Sequence, residues 1–224
     1  MKKSSSKTEI KPNKGKVLKR EFFNRPTLKV AQELLGKYLV RRIIYGSSGK
    51  SGRQKSKIMR GKIVETEAYI GPWDKASHAF GGKVTARNKI EYRGGGYCYI
   101  YLVYGMYWQL NITTEKEGKP ECVLIRALEP VAGNQNSGSK NFFNKDNKYL
   151  TNGPGKLCCW LKLDKSFYGE DLTKSKRLWV EDRGEKIKKS QIVKTKRIGI
   201  DYAEEWKDKP WRFYISNNPF VSKR

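Results

Sequence analysis

Glu65, Glu67 and Tyr69 stand at alternate positions of a stretch, residues 61–70, whose β-branched content reads as a strand. Alternation sends these three side chains to one face and Val64, Thr66, Ala68 and Ile70 to the other, with the carboxylates ~6.8 Å apart along the chain. In a chain this basic, such acids are either solvated salt-bridge partners or working groups. Arg126 bears on that choice. In the strand-like stretch 122–128 it shares parity with Cys122, Leu124 and Leu128, so its guanidinium faces the apolar side. Burial there demands a carboxylate or a carbonyl as partner. Glu67 or Glu65 is the natural candidate, in a structural ion pair or in a working site.

A second concentration lies at residues 97–108, six aromatics in twelve positions where the chain average of 12% gives one or two. Strand alternation puts Tyr97, Tyr99 and Tyr101 on one face. Tyr104 has the other parity and precedes Gly105-Met106, a candidate hairpin tip from which a ring projects as a wedge. The alternative is a set of tyrosines packed in an ordinary sheet. His78, the one histidine, follows a polar run in a loop, and Asn111 and Asn152 carry no signal of their own. Cys98, Cys122, Cys158 and Cys159 show no C-x-x-C spacing, so no metal site is expected. They read as reduced, packed thiols. Gly81-Gly82-Lys83-Val84-Thr85 lacks the upstream glycine of a P-loop, and Gly94-Gly95-Gly96 lacks the third spaced glycine of a dinucleotide loop. No cofactor is expected.

The elements that must position these residues form an α+β pattern without a βαβ rhythm. A helix starts at Pro26 and stops at Gly36. Strands are expected at 38–45, 61–70, 97–104, 107–113, 122–128, 192–202 and 211–216, mostly antiparallel, and a short helix after Gly153-Pro154-Gly155. Residues 46–57 and 132–147 read as low-complexity loops. One domain spanning 21–224 follows a disordered basic arm, 1–20.

The 224 residues carry 48 Lys and Arg against 22 Asp and Glu, a net charge of +26. The arm holds +7 of it, so +19 remains on the folded part. Such a field attracts polyanions. No apolar run reaches the ~18 residues of a membrane span, and no basic amphipathic helix with an apolar face is evident, which favours nucleic acid over membrane. Planar rings in a polycationic field suit bases stacked on the protein or displaced from a duplex.

In order along residues 20–222, the sequence resembles the alkyladenine (3-methyladenine) DNA glycosylase family. The likeness is carried by Arg25-Pro26-Thr27, AQELL (31–35), GKIVETEAYIGP (61–72), Ser77-His78-Ala79, Arg87-Asn88 and YIYLVYGMY (99–107). It continues through Asn111-Ile112, CVLIRALEP (122–130), NGPGKLC (152–158), Lys165-Ser166-Phe167, Ile198-Gly199-Ile200 and KPWRFY (209–214). The stretch between Pro130 and Thr151 departs from the family, being short and Asn-rich where relatives often carry a longer charged helix.

The resemblance implies a curved, mainly antiparallel sheet with flanking helices and a protruding β-hairpin, similar to the C-terminal domain of formyltransferases. It implies a monomeric intracellular enzyme working on the genome. That enzyme flips alkylated or deaminated purines (3-methyladenine, 7-methylguanine, hypoxanthine, ethenoadenine) out of duplex DNA and hydrolyses the N-glycosidic bond in base excision repair. Carried over residue by residue, Glu67 is the general base that activates water. Arg126, with a backbone carbonyl near Ile200, holds that water. Tyr69, His78 and Tyr101 wall the base pocket, and Asn111 excludes the 2-amino group of normal guanine. Tyr104 fills the vacated stack. An alkylated purine is already cationic and leaves readily, whereas a neutral one must be protonated, and no residue of the sequence declares itself as that donor. No lysine is placed as a Schiff-base nucleophile, so no lyase activity is expected. The competing reading is a non-catalytic nucleic-acid-binding damage sensor on the same fold, which would have no need of Glu67 and Arg126 together.

Overall fold

The computed structural model describes residues 15–45, 55–131 and 149–223. Their strands are β1 (Lys16–Val17), β2 (Tyr38–Tyr45), β3 (Lys55–Ile70), β4 (Cys98–Val103), β5 (Tyr107–Thr113), β6 (Glu121–Val131), β7 (Leu178–Asp182), β8 (Ile192–Thr195) and β9 (Arg212–Ile215). They form one sheet in the order β1-β7-β2-β3-β6-β5-β4, with β9 bonded to both β3 and β8. Every pairing is antiparallel. The helices are short: α1 (Arg20–Phe23), α2 (Thr27–Glu33) and α3 (Pro154–Trp160). This is the α+β class expected. Among the described residues no helix is long and apolar enough to cross a membrane.

The two faces of the sheet do different work. One face packs Ala68, Ile100, Leu110, Ile112, Val123 and Ile125 against Val30 and Ala31 of α2, Leu157 of α3, and the C-cap residues of these helices, Leu34 and Leu161. The other carries a smaller cluster that includes Tyr69, Tyr99, Cys122, Leu124 and Ile200. Tyr99 and Tyr69 alternate with core residues along their own strands, so one strand feeds both faces.

Alternation breaks at one place, in the longest pairing. Ile63 pairs with Leu128 and Glu65 with Ala127, leaving Val64 as an extra residue of β3; then Thr66 pairs with Ile125, leaving Arg126 as an extra residue of β6. These two bulges offset each other and restore register. Consecutive residues on each strand, Ile63 with Val64 and Ala127 with Leu128, therefore all enter the main core. Leu128 does not share a face with Arg126, contrary to simple alternation. The register that seats Cys122 and Leu124 beside Glu67 and Tyr69 carries Arg126 to the same side.

Strands 38–45 and 107–113 match expectation residue for residue. The expected strand 192–202 ends at Thr195, because β9 stops pairing there and the chain turns into a 3-10 segment, Asp201–Asp208. Residues 55–57, read as loop, extend β3 as the partners of Tyr45, Ile44 and Ile43. β7 was not legible, and the last residues of the expected arm join it, with Lys16 opposite Asp182 and Val17 opposite Glu181. Residues 1–14, 46–54 and 132–148 lie outside the described ones. Cys98, Cys122 and Cys158 are buried free thiols, but Cys159 is exposed on α3.

The triple glycine has a packing explanation. A Cβ on Gly95 would stand 2.6 Å from the carbonyl carbon of Phe23 and 2.7 Å from its oxygen, so only glycine lets the loop reach α1. Gly95→Ala forces backbone apart in the core and is expected to cost about 1–3 kcal/mol. Urea denaturation measures it, and an unchanged midpoint would refute the close packing.

Candidate active site

β3 and β6 together place the ionisable cluster. Glu67 is fully buried. Its Oε2 accepts from the Tyr69 hydroxyl at 2.9 Å and from Arg126 Nη1 at 3.1 Å, and its Oε1 accepts from the Ile198 N–H at 2.8 Å. Arg126 also donates through Nε to Glu65 Oε1 at 3.1 Å. Both candidate carboxylates thus share one guanidinium. Burial alone would lower the Arg126 pKa, but the Glu67 and Glu65 charges outweigh it and raise it.

Glu65 is the more heavily bonded of the two. Oε1 accepts from Arg212 Nη1 at 2.8 Å and from the Ser222 hydroxyl at 2.9 Å, and Oε2 accepts from the Ser222 N–H at 2.6 Å. Its acceptor sites are taken up in anchoring Arg126, β9 and the segment after it. Glu67 differs. A carboxylate offers about four acceptor sites, and the three bonds leave one for a further donor such as water.

Tyr69 connects this cluster to a small open cleft lined by Tyr69, His78, Glu91, Tyr101 and Asn111. His78 is exposed at its rim, with Nδ1 2.5 Å from the Tyr99 hydroxyl and the ring edge-on to Tyr101 at 4.6 Å. Desolvation by these rings, and then the Arg87 charge, hold the imidazole pKa below its usual value, so it stays neutral near pH 7. Asn111 is buried opposite Leu124, its Nδ2 3.3 Å from the Tyr99 carbonyl. Burial raises the pKa of Tyr69, Tyr99 and Tyr101 alike, so the phenols keep their protons.

Tyr104 stands apart from the cleft wall, at the tip of the β4–β5 hairpin and 86% exposed. The turn is closed by Met106 N–H donating to the Val103 carbonyl at 3.1 Å, with Tyr104 at φ 52° and Gly105 at φ 68°. Two left-handed residues are what a type I′ turn requires. Glycine takes that conformation freely, whereas a tyrosine is strained in it by about 1–3 kcal/mol. Ile200 is buried in the smaller cluster, and its carbonyl accepts from the Ala203 N–H at 2.9 Å. The backbone group touching Glu67 is the Ile198 amide, two residues earlier.

Sequence reasoning missed four participants. Arg197 forms a two-pronged buried pair with Asp74, at 2.5 and 2.8 Å, and lies over the Tyr69 ring at 4.7 Å. Ile198 follows it directly, so this anchor also sets the amide that meets Glu67. Glu91 is the fourth, a buried carboxyl on the cleft wall. Asp74, Arg197 and Ile198 fell in quoted or adjoining stretches but became visible only as partners across the fold.

Comparison with known proteins gives the family. The sequence profile described as methylpurine-DNA glycosylase matches residues 21–219. Among similar proteins, each named "Putative 3-methyladenine DNA glycosylase", one from Desulfitobacterium hafniense (strain Y51) is 48% identical over 214 residues, 92% of this chain and 98% of the relative. One from Clostridium novyi (strain NT) is 46% identical, covering 93% of this chain and all of the relative. One from Methanocella arvoryzae (strain DSM 22066 / NBRC 105507 / MRE50) is 47% identical, covering 93% of this chain and 96% of the relative.

Asp74→Ala leaves the Arg197 guanidinium buried without its counter-charge and is expected to cost about 3–5 kcal/mol of stability. A loss below about 1 kcal/mol in chemical denaturation would mean the pair does not brace the site.

Proposed function

The chain belongs to the methylpurine-DNA glycosylase family, and from that premise we propose that it extrudes damaged purine nucleotides from duplex DNA and hydrolyses their N-glycosidic bond. The observation that carries this reading is Glu67 itself: a buried carboxylate held by Arg126, Tyr69 and the Ile198 amide, with an acceptor site to spare, beside a cleft walled by aromatic rings. A damage sensor that performs no chemistry has no use for such a group.

The extruded purine stacks between Tyr69, Tyr101 and His78, and the neutral imidazole offers a hydrogen bond to the base. Glu67 takes a proton from a water as its oxygen forms a bond to C1′, while the bond from C1′ to the purine breaks and its electron pair leaves with the base. Arg126 keeps the carboxylate oriented and balances its charge as Glu67 becomes the acid and then returns. A positioned base contributes typically 10²–10⁴-fold. The Ile200 carbonyl, already bonded to Ala203, has a second lone pair with which to hold the same water. Asn111 on the wall acts against the 2-amino group of unmodified guanine.

Tyr104 enters the gap left in the stack, which explains why a strained, exposed ring is retained at a hairpin tip. The net charge of +26 supplies affinity for any duplex by counterion release, independent of sequence. Among the described residues none that lines the cleft is a lysine, which supports water rather than an amine as the nucleophile of a monofunctional enzyme. The substrates are 3-methyladenine, 7-methylguanine, hypoxanthine and ethenoadenine, and the protein acts as a monomer on the genome inside the cell.

Glu67→Gln is expected to retain binding to lesion-containing duplex and to release base at least about 100-fold more slowly. Release of 3-methyladenine at the wild-type rate would remove Glu67 from its role. Tyr104→Ser is expected to weaken capture of lesion DNA about tenfold while hardly altering affinity for undamaged duplex, since stacking contributes about 1–3 kcal/mol per base. Equal losses on both duplexes in a filter-binding comparison would discredit the wedge.

A further inference from the structure

The cleft holds a second buried carboxyl that the mechanism above does not use. Glu91 lies in the 3-10 turn Lys89–Arg93, is 1% exposed, and lines the same cleft as Tyr69, Tyr101 and Asn111. Its surroundings are the opposite of those of Glu67. Glu67 is bonded to a guanidinium, a phenol and an amide; Glu91 neighbours the Cys122 thiol, itself buried, and its Oε2 has no hydrogen-bond partner. Among the described residues no lysine or arginine forms a salt bridge with it. An unpaired charge in such a place is strongly disfavoured, so the group keeps its proton. Desolvation pushes its pKa up to about 8, outweighing the Cys122 contact, which lowers it.

We propose that Glu91 is the general acid of the base pocket, giving its proton to a ring nitrogen of a flipped, uncharged purine. This inference rests on the reading of the site as a purine glycosylase. Two carboxyls in one site with contrasting environments divide acid from base. In the step, the Glu91 O–H bond breaks as the purine nitrogen gains the hydrogen, and the C1′–N bond electrons pass to the now neutral leaving base. Water adds to C1′ and loses its proton to Glu67, and solvent returns a proton to Glu91 and removes one from Glu67. A purine that is already cationic through alkylation gains nothing from this transfer. Glu91 therefore sets substrate range: it extends the enzyme from charged lesions to neutral ones such as hypoxanthine.

The test compares single-turnover release of hypoxanthine and of 7-methylguanine from otherwise identical duplexes, using the full chain, between about pH 6 and pH 9.5. With the wild-type protein, hypoxanthine release is expected to fall about tenfold per unit above about pH 8, and 7-methylguanine release to lack that limb. Glu91→Gln keeps the shape of the side chain but has no acidic proton. It is expected to slow hypoxanthine release about 100-fold or more, to slow 7-methylguanine release by less than about tenfold, and to abolish the alkaline limb. Equal losses on both lesions, an alkaline limb that survives the substitution, or wild-type release of 7-methylguanine with none of hypoxanthine would each overturn the assignment. Should the variant fail to fold, the wild-type pH profiles decide alone: an alkaline limb shared by both lesions, or absent from both, overturns it. Failure of the wild-type protein to release any lesion would instead bring down the glycosylase reading beneath it.

Discussion

The shared guanidinium of Arg126 is the constraint from which the rest of the site follows. Nearly removed from water, it bridges two buried carboxylates on one strand, and Arg212 adds a second positive charge beside Glu65. Burying the cation there is costly without the carboxylates that pair with it. The geometry also needs a break in strand alternation, supplied by the bulges at Val64 and Arg126. Sheet register, charge balance and the orientation of Glu67 are therefore one problem with one solution. Glu65, which looks equivalent in the sequence, serves as the fixed anchor so that Glu67 retains unused acceptor capacity.

The sheet separates stability from chemistry by its two faces. The face toward α2 and α3 is apolar and closely packed, with Val30, Ala31, Leu34, Ala68 and Ile125 all fully buried. The other face carries the tyrosines, Asn111 and the ion cluster. Because both sets come from the same strands, the positions of the working groups are set by the core behind them. That is the way to hold a hydrogen-bonded carboxylate to within a fraction of an ångström. The hairpin tip that carries Tyr104 is exposed, outside both packed faces.

Much of this was legible in the sequence. Period-two patterning located β2 and β5 to the residue; it put Tyr97, Tyr99 and Tyr101 on one side of their strand and Glu65, Glu67 and Tyr69 on one side of theirs. Arg126 declared itself as a charge in an apolar strand. What stayed hidden has physical causes. A bulge leaves no mark in a hydrophobic pattern, so Leu128 was assigned to the wrong side. Residues 196–200 have strand-like composition but are held by the Arg197–Asp74 pair and by Glu67, contacts that span more than a hundred residues. Glu91 sits among polar neighbours in a segment with no periodicity, so its burial could be seen only once the fold brought Cys122 and Tyr99 around it.

The bonds from Ser222 to Glu65 join groups 157 residues apart. At a synthesis rate of about 5–20 residues per second, roughly 8–30 s pass between the appearance of that acid and of its final partner. Throughout that interval the nascent polypeptide carries an electrostatic knot tied at only one end. Competence thus waits on the translation of Ser222, and a ribosome-bound fragment that stops short of it lacks the finished interior.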